Sequence, residues 1–364
     1  MDHLPKKTFV GRGSSITPPN RFESLTRTDE GCQLDDQDLG QQLSQKISTE
    51  YFFDDSASIV GENQSPDIDF NFSLNPYRGC AHGCSYCYAR PTHEYLGWNA
   101  GIDFESKVLV KKDAPLLFRN WLARPRWSQQ LEPVMMSGVT DCYQPCEKEF
   151  SVSRQCLQVA QEFGQPMRVI TKNSLILRDL DILSEMACRQ LVSVAISLSS
   201  LDQSLIRIME PRSSSPQARL DTIAALAQHN VPVRVMVAPI IPAINDHELP
   251  KLLRQAAAAG ASSASFTLLR LPGSVEPVFL DWLQRNFPDK YNKVLQALRE
   301  MRGGKLNSPS FQARMKGEGV VANQLSQLFH VVSKQAGLDQ KLTPLRTDLF
   351  QPPPSPGEQQ LTLF

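Results

Sequence analysis

Six short apolar runs rich in β-branched residues punctuate the chain, and stretches of helical periodicity separate them. The runs are residues 70–74, 133–136, 168–171, 192–198, 233–238 and 265–269. Helical patterns fall near 105–122, 150–163, 178–188, 216–229 and 247–259, and two more, near 276–286 and 290–301, follow the last run. This alternation predicts βα units and a parallel sheet, because parallel neighbours need a long crossover between them. The runs are apolar at consecutive positions, as strands covered on both faces are. Six repeats fit an open doubly wound sheet or a partial barrel, and periodicity does not choose between them.

The flanks have a different character. Residues 1–65 are polar, with scattered Gly, Ser, Asp and Gln. They read as an irregular extension, partly disordered or wrapped over the surface. Its basic start (Lys6, Lys7, Arg12) and acidic stretch (Asp29, Glu30, Asp35, Asp36, Asp38) read as solvated surface. Residues 66–335 hold the repeats and the helices after them. Residues 336–364 read as a flexible tail, because Gln351-Pro-Pro-Pro-Ser-Pro-Gly357 cannot continue a helix. The 38 basic and 38 acidic residues balance, so bulk charge argues neither for nor against a polyanionic partner. No apolar run approaches the roughly 20 residues that cross a bilayer. No apolar stretch follows the first lysines as in a secretory signal. The expected location is the cytoplasm, where thiols stay reduced and clustered cysteines point to metal ligands or reactive groups.

Three of the eight cysteines crowd together in Asn75-Pro-Tyr-Arg-Gly-Cys80-Ala-His-Gly-Cys84-Ser-Tyr-Cys87-Tyr-Ala-Arg90. This segment follows the first expected strand, on the edge that carries chemistry in β/α architectures. Gly79 and Gly83 permit the bends that aim Cys80, Cys84 and Cys87 together. A structural zinc site needs four ligands, and His82 or His93 would have to complete it. A ferredoxin-type cluster takes four cysteines; three leave one iron open, as a catalytic cluster requires. Cys142 and Cys146 form a second close pair, while Cys156 and Cys188 read as small core residues.

The C-x3-C-x2-C spacing, with Tyr86 before the third cysteine, resembles the signature of the radical S-adenosylmethionine (SAM) superfamily. The wider string resembles an uncharacterised branch related to spore photoproduct lyase. Further matching segments are Thr140-Asp-Cys-Tyr-Gln-Pro-Cys-Glu147, Ile170-Thr-Lys-Asn, Arg178-Asp-Leu-Asp181, Met209-Glu-Pro-Arg212, Ala238-Pro-Ile-Ile-Pro-Ala-Ile-Asn-Asp246, Leu268-Leu-Arg-Leu-Pro272 and Met301-Arg-Gly-Gly-Lys305. The resemblance covers roughly residues 60–335. It implies a partial (β/α)6 TIM-like barrel carrying the irregular extension and the Pro-rich tail. It also implies a [4Fe–4S] cluster on Cys80, Cys84 and Cys87, with S-adenosyl-L-methionine on the open iron. An electron donor such as flavodoxin or ferredoxin would supply the electron, and a 5′-deoxyadenosyl radical would abstract hydrogen from a substrate.

The same resemblance assigns candidate cofactor contacts. Tyr86 lies in the signature itself. Thr140 or Asp141, after the second strand, would accept from the cofactor's amino group, although a carboxylate there could instead cap the next helix. Lys172 would meet the methionine carboxylate, its alternative being a surface lysine. Ser197 would meet the ribose, with Ser199 and Ser200 as competitors. Arg212 and Arg219 match family positions or serve as structural ion-pair partners. Cys142 is the candidate catalytic thiol, because photoproduct lyase returns a hydrogen atom from a cysteine outside the cluster; the alternative is an inert buried thiol.

Gln360-Leu-Thr-Leu-Phe364 resembles the peptide by which bacterial repair and replication proteins dock on the DNA sliding clamp. Gln360 would supply an amide, and Leu361, Leu363 and Phe364 an apolar face, on a flexible tether. Lys107, Lys111, Lys112, Arg119, Arg124 and Arg126, with Trp121 and Trp127, form a basic–aromatic stretch. It reads either as a nucleic-acid surface or as a solvated helix with its tryptophans in the core. The expected function is a radical enzyme acting on a DNA lesion or other nucleic acid. Two rivals stay open: the same chemistry on a protein or small molecule, and a non-catalytic iron–sulfur or zinc protein.

Overall fold

In the computed structural model, which describes residues 8–22, 44–311 and 313–353, all six apolar runs are strands. Among the described residues twelve strands run in chain order. They are β1 (Thr8–Phe9), β2 (Ser44–Gln45), β3 (Glu50–Phe53), β4 (Val60–Glu62), β5 (Phe72–Leu74), β6 (Tyr77–Arg78), β7 (Lys107–Val110), β8 (Val134–Met136), β9 (Met167–Thr171), β10 (Val192–Ser197), β11 (Val233–Ile240) and β12 (Ser263–Leu268). The main sheet has the order β4-β5-β8-β9-β10-β11-β12. Every step from β5 to β12 is parallel, while β4 joins β5 antiparallel. Six parallel strands with intervening helices make the expected partial barrel. Among the described residues no pairing joins β4 to β12, so the barrel is open on that side.

The helices between strands follow local chemistry. Ser215 caps the helix Pro216–Gln228 through the amide of Ala218, with proline at the first helical position. Asp202 caps Gln203–Met209, a helix that the periodicity does not announce. After β12 come Val275–Asn286, Tyr291–Glu300 and Gly319–Gln335. The helical pattern near 105–122 needs correction. It holds two helices, Ile102–Ser106 and Ala114–Leu122, with β7 between them. Lys107-Val-Leu-Val110 alternates and buries its valines, and β7 pairs with β3 and β6 in a separate three-stranded sheet.

Neither flank is loose where it is described. β3 pairs with β7, β4 belongs to the barrel sheet, and Arg12, Ser14 and Asn20 are buried. Residues 336–353 cross the N-terminal ends of the strands. There the amide of Arg346 donates to Gln190 O (2.9 Å) and that of Gln351 to Phe163 O (2.9 Å). The acidic stretch from Asp29 to Asp38, Cys32 and the peptide Gln360 to Phe364 lie outside the described residues. No helix among the described residues is long and apolar enough to cross a membrane.

Candidate active site

The cysteine loop leaves the C-terminal end of β5 and is braced from several sides. Turns close it through Gly83 N to Cys80 O, Cys87 N to Cys84 O and Arg90 N to Cys87 O, each 3.2 Å. The buried Gln144 amide accepts from Ala81 N (2.9 Å) and donates to Gly79 O (3.1 Å). Buried Arg90 donates to Cys84 O (2.8 Å), Ala100 O (3.1 Å) and Gly101 O (2.9 Å) and pairs with Glu105 (2.5 Å). Glu105 also accepts from the amides of Gly13 (2.9 Å) and Ser14 (2.8 Å). The N-terminal segment therefore lies directly on the loop. Gly83 sits at φ +65°, and a Cβ there would stand 2.4 Å from the Glu105 carboxylate. A Cβ on Gly13 would stand 1.8 Å from Gly83 O. Backbone touches backbone here, and only glycine allows it.

Within this frame Cys80, Cys84 and Cys87 are free thiols, the first two buried. His93 is committed elsewhere, while His82 hydrogen-bonds Cys80 besides its other partners. His82 faces Asp141 at 3.4 Å with Nδ1 and Asn173 at 3.1 Å with Nε2. His93 places Nε2 2.9 Å from Lys107 O, and burial pushes its pKa down to about 4. Among the described residues no group of three or more His, Cys, Asp or Glu gathers as one metal ion would require. A cubane makes no such demand, since each thiolate binds a different iron. Three soft, braced thiols on one loop fit an iron–sulfur group.

Two polar hubs flank the loop. In the first, Asp141 accepts from Thr171 Oγ1 (2.7 Å), Tyr143 N (2.9 Å) and Lys172 N (2.8 Å), besides facing His82. Burial works against its charge, but His82 and these donors hold its pKa down to about 2. Thr140 donates to Tyr77 O (2.7 Å). Both candidate acceptors thus already brace the strand ends, and Asp141 caps no helix. In the second hub, buried Glu210 accepts from Tyr86 OH, Ser199 Oγ (2.7 Å) and Arg219, which also donates to Ser197 O (3.0 Å). Burial again opposes the charge, while Arg219 and Lys172 hold the Glu210 pKa down to about 2. Lys172 is partly buried, with Nζ 6.0 Å from the Tyr86 ring centroid. Burial opposes its charge too, but Glu210 and Cys84 outweigh it and raise the pKa.

The remaining candidates divide. Arg219 is a structural partner of Glu210, and Arg212 reaches Gly11 O (3.1 Å) and Thr49 Oγ1 (3.1 Å) on the N-terminal segment. Cys142 is fully buried in the main core, where burial pushes its thiol well up. Trp121 and Trp127 are core residues, packed tilted and edge-on against Phe72, and Arg119 pairs with Glu162. The tryptophans of the basic–aromatic stretch are thus inside, while its charges spread over β7, the turn after it and two helices.

Comparison with known proteins gives this arrangement its family. Residues 74–256 match the model of the Radical SAM superfamily, from the end of β5 into the helix Leu249–Ala258. The chain belongs to the radical SAM superfamily. An uncharacterized protein of Mycobacterium tuberculosis is 37% identical over 251 residues, 68% of this chain and 72% of that one. The Radical SAM Nalpha-GlyT isomerase of Pseudomonas phage M6 is 24% identical over 241 residues, 65% of this chain and 48% of that one. Among solved structures, a spore photoproduct lyase mutant with bound AdoMet and dinucleoside spore photoproduct superposes with TM-score 0.57. It is 16% identical and covers 78% of each chain, a likeness of fold.

For a radical SAM protein the signature loop was legible in the sequence, but the residues bracing it were not. Glu105, Gln144 and Glu210 are spread over a hundred residues and share no local pattern. The matching segments held the one available signal. Gln144 and Glu147 belong to Thr140-Asp-Cys-Tyr-Gln-Pro-Cys-Glu147, and Glu210 to Met209-Glu-Pro-Arg212. Glu147 receives Tyr77 OH and pairs with Arg178 (2.6 Å).

Proposed function

We propose that this radical SAM protein holds a [4Fe–4S] cluster on Cys80, Cys84 and Cys87 and binds S-adenosyl-L-methionine beside it. The observation that carries the reading is the three-thiol loop, braced by Gln144, Arg90 and Glu105. Together the two cofactors would supply a 5′-deoxyadenosyl radical for hydrogen abstraction from a substrate. The chain's own part is to position and shield. Lys172, kept protonated by Glu210, would hold the cofactor's carboxylate. Tyr86 and Ser197, fixed through Glu210 and Arg219, would line the cofactor's side of the site. Thr140 and Asp141 would set the height of the strand ends from which its amino group is reached.

For the substrate we favour nucleic acid. Support comes from the fold shared with a lyase solved with a dinucleoside photoproduct. The Gln360 to Phe364 peptide adds to it, as a tether to a sliding clamp. A small iron–sulfur or flavin protein in the cytoplasm would deliver the electron. Anaerobic reconstitution tests the cluster. The wild type should turn brown, carry about four irons per chain and give an electron paramagnetic resonance signal that SAM perturbs. Cys84→Ala should lose that signal. A colourless, zinc-loaded wild type would sink the proposal.

A further inference from the structure

Three arginines gather on the open side of the barrel, where β12 faces the connection between β4 and β5. Two of them are committed. Arg302 donates to Leu269 O (2.8 Å) and Ala313 O. Arg314 pairs with Asp67 (2.5 Å), donates to Ser65 Oγ and lies 4.6 Å over the Phe311 ring. Arg270, two residues past the C-terminal end of β12, is different. Its hydrogen bond runs to the Met315 sulfur (3.1 Å), a weak acceptor, and its buried Nε, like that of Arg302, has no partner. Among the described residues no carboxylate stands within ion-pair distance of it. Burial and the like charge of Arg314 push its pKa down, against the weaker pull of Tyr88 and Asp67. A half-buried cation beside another cation is costly until an anion meets it.

The surroundings suggest which anion. Tyr88 follows Cys87 directly, is 51% exposed, and donates to Gly138 O (2.5 Å) past the end of β8. Phe311 is 57% exposed. An underpaired guanidinium near exposed Tyr88, with exposed Phe311 against the neighbouring Arg314, matches the needs of an unstacked nucleotide: a cation for the phosphate and flat faces for the bases. We propose that Arg270 receives a phosphodiester of a single-stranded or extruded nucleotide, with Tyr88 and Phe311 taking adjoining bases. This rests on the reading of the barrel as a radical SAM site that acts on nucleic acid. It assigns a role to Leu268-Leu-Arg-Leu-Pro272, which the cofactors leave unused. A free phosphate or mononucleotide offers the same anion, and competition separates those sources.

The test is fluorescence anisotropy of the full chain with a short labelled single-stranded oligodeoxynucleotide across a salt series. Wild type should bind, and more weakly as salt rises. Arg270→Gln should bind roughly tenfold more weakly, with a salt slope shallower by about one. Phe311→Ala changes an exposed residue and should weaken binding roughly fivefold without loss of folding. Lys293→Gln, on an exposed helix face, should bind as wild type. Equal affinity in Arg270→Gln overturns the subsite, and so does displacement by inorganic phosphate or a mononucleotide as potent as the oligonucleotide. SAM cleavage in the same samples reports on the radical reading separately. A wild type that cleaves SAM and ignores the oligonucleotide overturns the subsite and leaves the radical enzyme standing.

Discussion

At the scale of single residues, the site depends on groups whose charge state the fold sets. Lys172 stays protonated through Glu210, although burial opposes it. If it holds the cofactor's carboxylate, Lys172→Ala should raise the Kd for SAM at least about tenfold while leaving iron content unchanged. Isothermal titration of the reconstituted protein reads this, and an unchanged Kd removes Lys172 from the cofactor. His93 gives a pH prediction. Its folded-state pKa is about 4 against an ordinary 6.5, because burial disfavours the charged ring. The unfolded chain therefore takes the proton first as pH falls. The contribution is present above pH 6.5, declines through that window and is lost by about pH 4, at most on the order of 3 kcal/mol. Urea unfolding at pH 7 and pH 5 should show a smaller loss in His93→Gln than in wild type; equal losses would contradict the assignment. Residue-level legibility was uneven for a physical reason. Metal-ligand spacing is local and survives in the sequence, as with Cys80, Cys84 and Cys87. A hub such as Glu210, joined to Tyr86 across 124 positions, leaves no periodic trace.

At the scale of elements, all six parallel strands were readable because each is a short apolar run between turn or helix signals. β7 was not, since its four residues sit between two helices whose pattern runs over it. The burial of the N-terminal segment was hidden for another reason. It packs through backbone amides onto Glu105 and through Arg12 onto Ile47 O (2.8 Å), so its polar composition hides its burial. Its role can be tested at the tightest contact. Gly13→Ala forces a Cβ against Gly83 O and should lift the segment from the loop. We expect faster bleaching of the reconstituted cluster in air, with a thermal midpoint near that of wild type. Bleaching at the wild-type rate would show that the segment does not shield the loop. Trp127→Ala tests the helix before β8: as a core residue it should cost about 3–5 kcal/mol in denaturant unfolding. A surface tryptophan used for nucleic acid would cost far less.

At the scale of the whole molecule, the open (β/α)6 barrel gathers on one edge what the sequence scatters. The loop after β5, Asp141 after β8, Lys172 after β9, Ser197 and Glu210 around β10 and Arg270 after β12 all lie at C-terminal strand ends. That edge and the open, partial barrel were foreseeable from the alternation of strands and helices and the family resemblance, while the strap at residues 336–353 was not. The strap's contacts are backbone hydrogen bonds to Gln190 and Phe163, which no side-chain pattern records. Reductive cleavage of S-adenosyl-L-methionine at this edge is the proposed reaction. The direct measurement is release of 5′-deoxyadenosine by the anaerobically reconstituted full chain with SAM and dithionite. The account predicts multiple turnovers in wild type and none in Cys84→Ala. An iron-loaded wild type that releases no 5′-deoxyadenosine would contradict it.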